Sequence, residues 1–428
     1  ALPIQRAVGD REGEATTLNN IGRVYWSLGE KQKAREYYNQ ALPIWRAVGG
    51  RGGEATTLNN LMFLWQDSNA RVAVFYGKQS VNVYQQMRGN ITELEKKFQR
   101  SFLLSVEDTY RTLADLLIAQ GRLPEAQQVL NLFKDQQFFD FNRNMQTPAS
   151  RLTLTPHEAL IAELYEQTTK RVEVVAQQLD ELKRRIGERQ ANVDEAAQRQ
   201  QLEAQLKSAS GEFLALLKQA ETEFSQPPSE KDRVGEIADT RKLQTALREL
   251  KEQTGQNAVA IYTLVGADNY RTLVITPNNI TAALQPVKSA VLDEKAVQLW
   301  ALLQSVRYDP APLAQELYTT VFKPLESQLP KYTSTILWSL DGSLRYLPMA
   351  ALHDGKQYLI ERYNHVVFTR ADSERLLRAV SPRWTGLGLG SSQAHTVELL
   401  GDKISFNALP GVNEELRIIF RRAGYSGG

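Results

Sequence analysis

Residues 1–20, ALPIQRAVGDREGEATTLNN, return forty residues later at 41–60 as ALPIWRAVGGRGGEATTLNN, with three substitutions between the copies. Whatever structure one copy adopts, the other must adopt as well. A period in this range, with helical apolar spacing and a Gly closing each unit, is expected of stacked helix-turn-helix units that bury their apolar face only against their neighbours.

The unit can be followed residue by residue. From Ala15 to Leu28 the residues Leu18, Ile21, Gly22 and Tyr25 recur at helical spacing, and Gly29 stands where a helix C-terminus is capped. A second helix is expected from about Lys31 to Arg46, with Ala34, Tyr38, Ala41 and Leu42 on one stripe. The register of Gly22, Tyr25, Gly29, Ala34, Tyr38 and Ala41 resembles the tetratricopeptide repeat in a forty-residue form. A second unit starts at Ala55 and then drifts: Met62 replaces the small residue, and no Gly follows Trp65. A further unit is expected at Tyr110–Phe133, where Gly121 and Ala126 restore the pattern, with residues 71–105 as intervening helices.

With 42% hydrophobic residues, 428 residues suffice for two or three folded domains. No run approaches the roughly 18–20 apolar residues of a membrane span. Lys and Arg number 51 against 49 Asp and Glu, which gives no electrostatic ground for a nucleic-acid or membrane partner. Cysteine is absent, so disulfides, thiolate metal sites and a cysteine nucleophile are excluded for these residues. The chain opens with Ala inside what reads as the tail of a repeat helix, so it reads as part of a longer sequence, with the cytoplasm as the expected compartment.

Residues 155–225 read as a long helical hairpin. Val175, Leu179, Leu182 and Ile186 are spaced four, three, four, and Leu202, Leu206, Ala209, Phe213 and Leu216 continue in the same manner. Gly187–Asp194 supplies the turn, and Gln226-Pro227-Pro228-Ser229 reads as a linker. Lys183-Arg184-Arg185 near the tip reads as a solvated helix end.

After about residue 237 the period changes. Ala258–Val265 and Tyr270–Thr276 read as strands around the turn Gly266–Asn269. Helical stretches at about 290–305 and 310–328 follow, then strand-length apolar runs at Ser334–Leu340, Tyr363–Thr369 and Trp384–Leu389, an order that predicts an α/β layer with a partly parallel sheet. The block from Ile336 to Gly355, ILWSLDGSLRYLPMAALHDG, followed by Tyr358-Leu359-Ile360-Glu361, resembles the front half of a CHAT domain, the caspase-like domain found behind tetratricopeptide repeats. Gly386–Gly390, Leu409-Pro410-Gly411 and Glu414-Glu415-Leu416 follow the same course. The expected architecture is therefore multidomain: all-α repeats over 1–147, a helical hairpin and linker over 148–236, and the N-terminal portion of an α/β caspase-like CHAT domain over 237–428.

The resemblance implies a His–Cys dyad in members with peptidase activity, on strands beyond Trp384–Leu389 and a helix at 413–422, which places the dyad past Gly428. Within the chain Asp341-Gly342 reads as a turn and Pro348 as a helix opener. His157 near a helix start, His353 in a turn, His365 in a strand and His395 in a loop form no ligand pair, so no catalytic residue, metal or cofactor is assigned. The Gly386–Gly390 run lacks the spacing and Lys of a phosphate loop, and no G-x-S-x-G elbow occurs.

Candidate binding residues lie on the first helix of each unit. Thr16, Asn19, Asn20 and Arg23 share one face, which Thr56, Asn59 and Asn60 repeat. The resemblance implies that this face lines a concave groove for an extended protein or peptide; a merely solvated polar face is the other reading. Two functions follow: a caspase-like cysteine peptidase whose repeats sense a partner, or a non-catalytic adaptor.

Overall fold

The computed structural model describes residues 1–91, 96–139, 151–187, 191–233, 237–305, 307–368, 393–399 and 402–406, with residues 411, 414 and 418. Two compact units are present, Ala1–Leu377 and Arg378–Gly428.

The first unit begins with helices α1 (Leu2–Val8), α2 (Arg11–Ser27), α3 (Lys31–Ala47), α4 (Arg51–Trp65), α5 (Ala70–Ile91), α6 (Lys96–Ala119) and α7 (Leu123–Phe139). They pair as α2 with α3, α4 with α5 and α6 with α7. Residues 71–105 are therefore not intervening helices: α5 is the second helix of the second pair and α6 opens the third. The turn signature had been lost because Asn69 takes the place of Gly29. Its side chain receives the amides of Arg71 and Val72 at 3.2 Å each, capping α5 from the front where Gly29 and Gly121 cap from behind with φ of 78° and 71°.

The drift at Met62 has a packing answer. A side chain at Gly22 would lie 2.6 Å from the Tyr38 ring, so the small residue makes room for a large one on the facing helix. In the second pair the sizes are exchanged, with the Met62 sulfur 2.6 Å from where a side chain on Gly77 would stand.

Helices α8 (Pro156–Ile186) and α9 (Val193–Phe224) form the expected hairpin. Each opens with a capping box, Thr155 with Glu158 and Asn192 with Glu195. Leu179, Leu182 and Leu202 make the distal seam with Val175, Ile186 and Leu206, as the heptads require. The base departs from a free-standing hairpin: Tyr165, Phe213 and Phe224 join the core of the repeats.

After α10 (Ala238–Thr254) come strands β1 (Ala258–Val265), β2 (Tyr270–Ile275) and β3 (Ile280–Gln285), helices α11 (Ser289–Leu303) and α12 (Ala311–Val321), and strands β4 (Thr335–Ser339) and β5 (Asn364–Val367). The sheet order is β3-β2-β1-β4-β5, with β1, β4 and β5 parallel and β1, β2 and β3 antiparallel. Ala260, Tyr262, Leu273, Ile275 and Leu337 face the repeat and α10 side, while Val259, Ile261, Val274, Ile336 and Trp338 face α11 and α12. Helices thus cover both faces, as a buried parallel core needs.

Three sequence expectations change here. The helix expected at 310–328 breaks after Val321, because Pro324 cannot continue it, and Lys323–Gln328 is a 3-10 segment. Strand β3 carries no clear alternation and is half-buried, which hid it. His395 is not in a loop but begins strand β6 (His395–Leu399), which pairs antiparallel with β7 (Asp402–Phe406) in the second unit. The expected strand at Trp384–Leu389, the Gly386–Gly390 run and most of the expected helix at 413–422 lie outside the described residues.

Candidate partner-binding face and the seam behind it

The first helices of the repeat pairs, α2, α4 and α6, lie side by side along the stack. On α2 the side chains of Thr16, Asn20 and Arg23 are exposed, and on α4 so is Thr56. The hydroxyls of Thr16 and Thr56 donate to the carbonyls of Glu12 and Gly52, one turn back. The other three predicted residues point along the stack. Asn19 Oδ1 accepts from Asn60 Nδ2 at 3.0 Å and from the Thr57 hydroxyl at 3.1 Å, and Asn59 Oδ1 accepts from the Thr109 hydroxyl at 2.9 Å. The structure therefore gathers the seven residues on one side of the stack but divides their work. Asn19, Asn59 and Asn60 tie each first helix to the next, and Thr16, Asn20 and Arg23 remain open.

The opposite side is occupied. The hairpin lies against α3 and α5, where Tyr76 donates to Glu221 at 2.9 Å and Arg35 pairs with the same carboxylate at 3.2 Å. The duplication also fixes an ion pair in each copy: Arg6 to Glu14 at 2.7 Å and Arg46 to Glu54 at 2.5 Å. Burial pushes the Glu54 carboxyl up in spite of Arg46 and Arg51, and Tyr165 of the hairpin donates to it at 3.1 Å. Lys78, fully buried, meets Glu125 and, at 2.6 Å, Glu158 at the start of α8. Arg35 with Glu221, Lys78 with Glu158 and Tyr165 with Glu54 thus lock repeats to hairpin, on the side away from Thr16, Asn20 and Arg23.

A second polar region lies where the third pair meets the sheet, and it was missed at the level of sequence. Arg111 of α6 forks onto Asp341, the residue two past β4, with one contact of 2.9 Å, and donates to the Val265 carbonyl at 3.0 Å. Asp341 also accepts the Val265 amide at 2.8 Å and is completely buried, so it does more than make the expected turn. Burial alone would raise its carboxyl, but Arg111, Lys134 and the Val265 amide hold it below the usual range. Lys134 of α7 donates to the carbonyls of Ser339 and, at 3.2 Å, Thr263. Burial pushes Lys134 down to about 7 against the pull of Asp341. Arg271 of β2 reaches back to Asp115 of α6, with one contact at 3.1 Å.

His157, His353 and His365 have structural partners. His157 bridges Glu223 at 2.8 Å and Asp232 at 3.0 Å; burial would lower its pKa, and these two hydrogen bonds raise it. His365 accepts from Trp338 Nε1 at 3.0 Å, and His353 accepts from the Gly355 amide at 3.0 Å. Among the described residues no group of three or more His, Asp or Glu is placed to hold a metal, and no helix is long and apolar enough to cross a membrane.

Comparison with known families places both ends. The model of the tetratricopeptide repeat matches residues 1–47, and the model of the CHAT domain matches residues 311–426. No curated protein matches the chain.

Proposed function

From a chain that joins tetratricopeptide repeats to a CHAT domain, we propose that the repeats bind a protein or peptide partner on the first-helix face and that the caspase-like domain is the layer this binding serves. The observation that carries the reading is the asymmetry of the stack. The second helices α3 and α5 are covered by the hairpin, whereas Thr16, Asn20, Arg23 and Thr56 stand exposed on the other side. Amides donate and accept at once, which suits the backbone of an extended peptide, and Arg23 adds a cation that has no ion-pair partner among the described residues.

Peptide-bond cleavage by a caspase-like route needs a thiolate activated by an imidazole. These 428 residues contain no Cys, so binding is the activity they themselves can carry, as an adaptor does. The near balance of 51 basic and 49 acidic residues agrees with a protein partner over a nucleic acid.

The test is selection of peptides from a displayed library against the chain, followed by titration of a selected peptide by fluorescence anisotropy. Asn20→Ala combined with Arg23→Glu is expected to weaken binding by about tenfold or more, with no change in melting temperature. Unchanged affinity in a folded variant would place the binding surface elsewhere.

A further inference from the structure

The third repeat pair aligns with the first two through its turn. Setting Gly121 on Gly29, and Asn69 between them, puts Leu18, Leu58 and Tyr110 at one position, all buried, and Ala34, Val74 and Ala126 at another, all fully buried. In this register Arg111 stands where Asn19 and Asn59 stand, and Thr109 stands where Thr57 stands. The side chain at the first position always reaches to the next element of the stack. Asn19 reaches Thr57, Asn59 reaches Thr109, and Arg111 reaches Asp341 and the Val265 carbonyl. The carboxyl ends of β1 and β4 are therefore held by the third repeat from the same helix position that ties each repeat to the next, with Arg111 donating where Asn19 and Asn59 accept.

We propose that this row of side chains is a coupling element: the sheet edge at β1 and β4 is seated as the next member of the repeat stack, so that a shift between repeats is felt in the segment after β4, residues 341–347, and the reverse. The position on the sheet gives the coupling a consequence. Between β1, which is followed by β2 and β3 on one side, and β4, which is followed by β5 on the other, the strand order reverses, and the crevice outside the carboxyl ends at such a point is where open α/β sheets place their ligands. Here that crevice holds Arg111 and Lys134, side chains of the repeats. Lys134 closes it by bonding the carbonyls at both strand ends, Thr263 and Ser339, and Arg271 to Asp115 adds a bond on the β2 side. Any movement of α6 relative to α4 must either stretch these bonds or carry the strand ends along. The coupling stands whether or not the exposed face binds a peptide.

The test is hydrogen exchange read by mass spectrometry on the full chain. Thr109→Val keeps the shape of the side chain and removes the hydroxyl that Asn59 accepts, without touching the sheet. It is expected to speed exchange about fivefold or more in peptides covering 261–265 and 339–347, as well as in α4. Coupling is reciprocal, so Asp341→Asn is expected to speed exchange in the 55–60 segment of α4. If Asp341→Asn does not fold, Arg111→Lys replaces it, since it keeps the charge and loses the fork. Leu202→Ala in the distal hairpin seam serves as the control for general destabilisation and is expected to leave both segments unchanged. Exchange that rises only beside each substitution, that crosses in one direction only, or that Leu202→Ala reproduces would overturn the proposal.

Discussion

The same helix position is solved with different chemistry at two seams of the molecule. Between repeats, where one first helix meets another, neutral asparagines and threonines suffice: Asn19 with Thr57 and Asn60, then Asn59 with Thr109. Between the third repeat and the sheet, the partner surface is a set of strand ends whose carbonyls and one carboxylate need donors, and Arg111 and Lys134 supply them. A neutral bond contributes about 1 kcal/mol net, whereas removing one partner of a buried ion pair costs about 3–5 kcal/mol, because the remaining charge is stranded. The repeat seams are thus adjustable, and the sheet seam is all or nothing.

The largest expected effect follows from that difference. Asp341→Ala leaves the half-buried Arg111 with Glu107 alone, at 2.6 Å, takes the buried carboxylate from beside Lys134 and frees the Val265 amide, so a loss of about 3 kcal/mol is expected in denaturant unfolding. Asn59→Ala, the equivalent break at a repeat seam, is expected to cost about 1–2 kcal/mol by the same measurement. Equal losses would mean that the two seams do not differ as their chemistry implies.

The sheet seam and the base of the hairpin also part in their response to pH. Lys134 is held at about 7 in the folded chain and near 10.5 when unfolded, so the unfolded state binds more protons between those values. Stability is therefore expected to rise with pH across that window, by up to about 1.4 kcal/mol per unit from this group. His157 acts in the opposite sense, since its raised pKa contributes stability that fades as pH climbs above the usual value of 6.5. The difference between the unaltered chain and Lys134→Met isolates the lysine: the variant should lose the rise with pH. A variant parallel to the parent at every pH would place the titration elsewhere.

Packing offers a third comparison, between Gly22 with Tyr38 and Met62 with Gly77. Gly22→Met alone puts two large side chains in a space built for one and should cost about 1–3 kcal/mol. Tyr38→Ala alone empties that space. Combined, the pair should recover part of the loss in a double-mutant cycle on melting temperature.

How much of this was legible beforehand depended on whether the partner lay close along the chain. The repeat pairs, the hairpin heptads and strands β1, β2, β4 and β5 all announce themselves through local period, because each buries a face that its own spacing defines. Helix α5 is hidden in the sequence because Asn69 replaces the turn glycine and because the exchange of size at Met62 moves the small residue to Gly77 on the facing helix. Arg111, Lys134 and Asp341 were invisible as a group because Asp341 is 230 positions from Arg111, and nothing local distinguishes a guanidinium that will be buried from one that will be solvated. The asparagines were legible as a face but not as a seam, since spacing gives direction around a helix and not what stands opposite.

The smallest expected effect separates the two roles within that face. Asn20 and Asn60 follow Asn19 and Asn59 in their copies and are alike in sequence, yet Asn60 Nδ2 donates to Asn19 Oδ1 while the Asn20 side chain is exposed. Asn60→Ala is expected to cost about 1 kcal/mol, and Asn20→Ala less than about 0.5 kcal/mol, because an exposed amide exchanges one water contact for another. In peptide titration the order should invert, with Asn20→Ala the more damaging. A stability loss from Asn20→Ala as large as that from Asn60→Ala would show that the duplicated residues do the same work in both copies, and the division between an open face and a tied seam would fail.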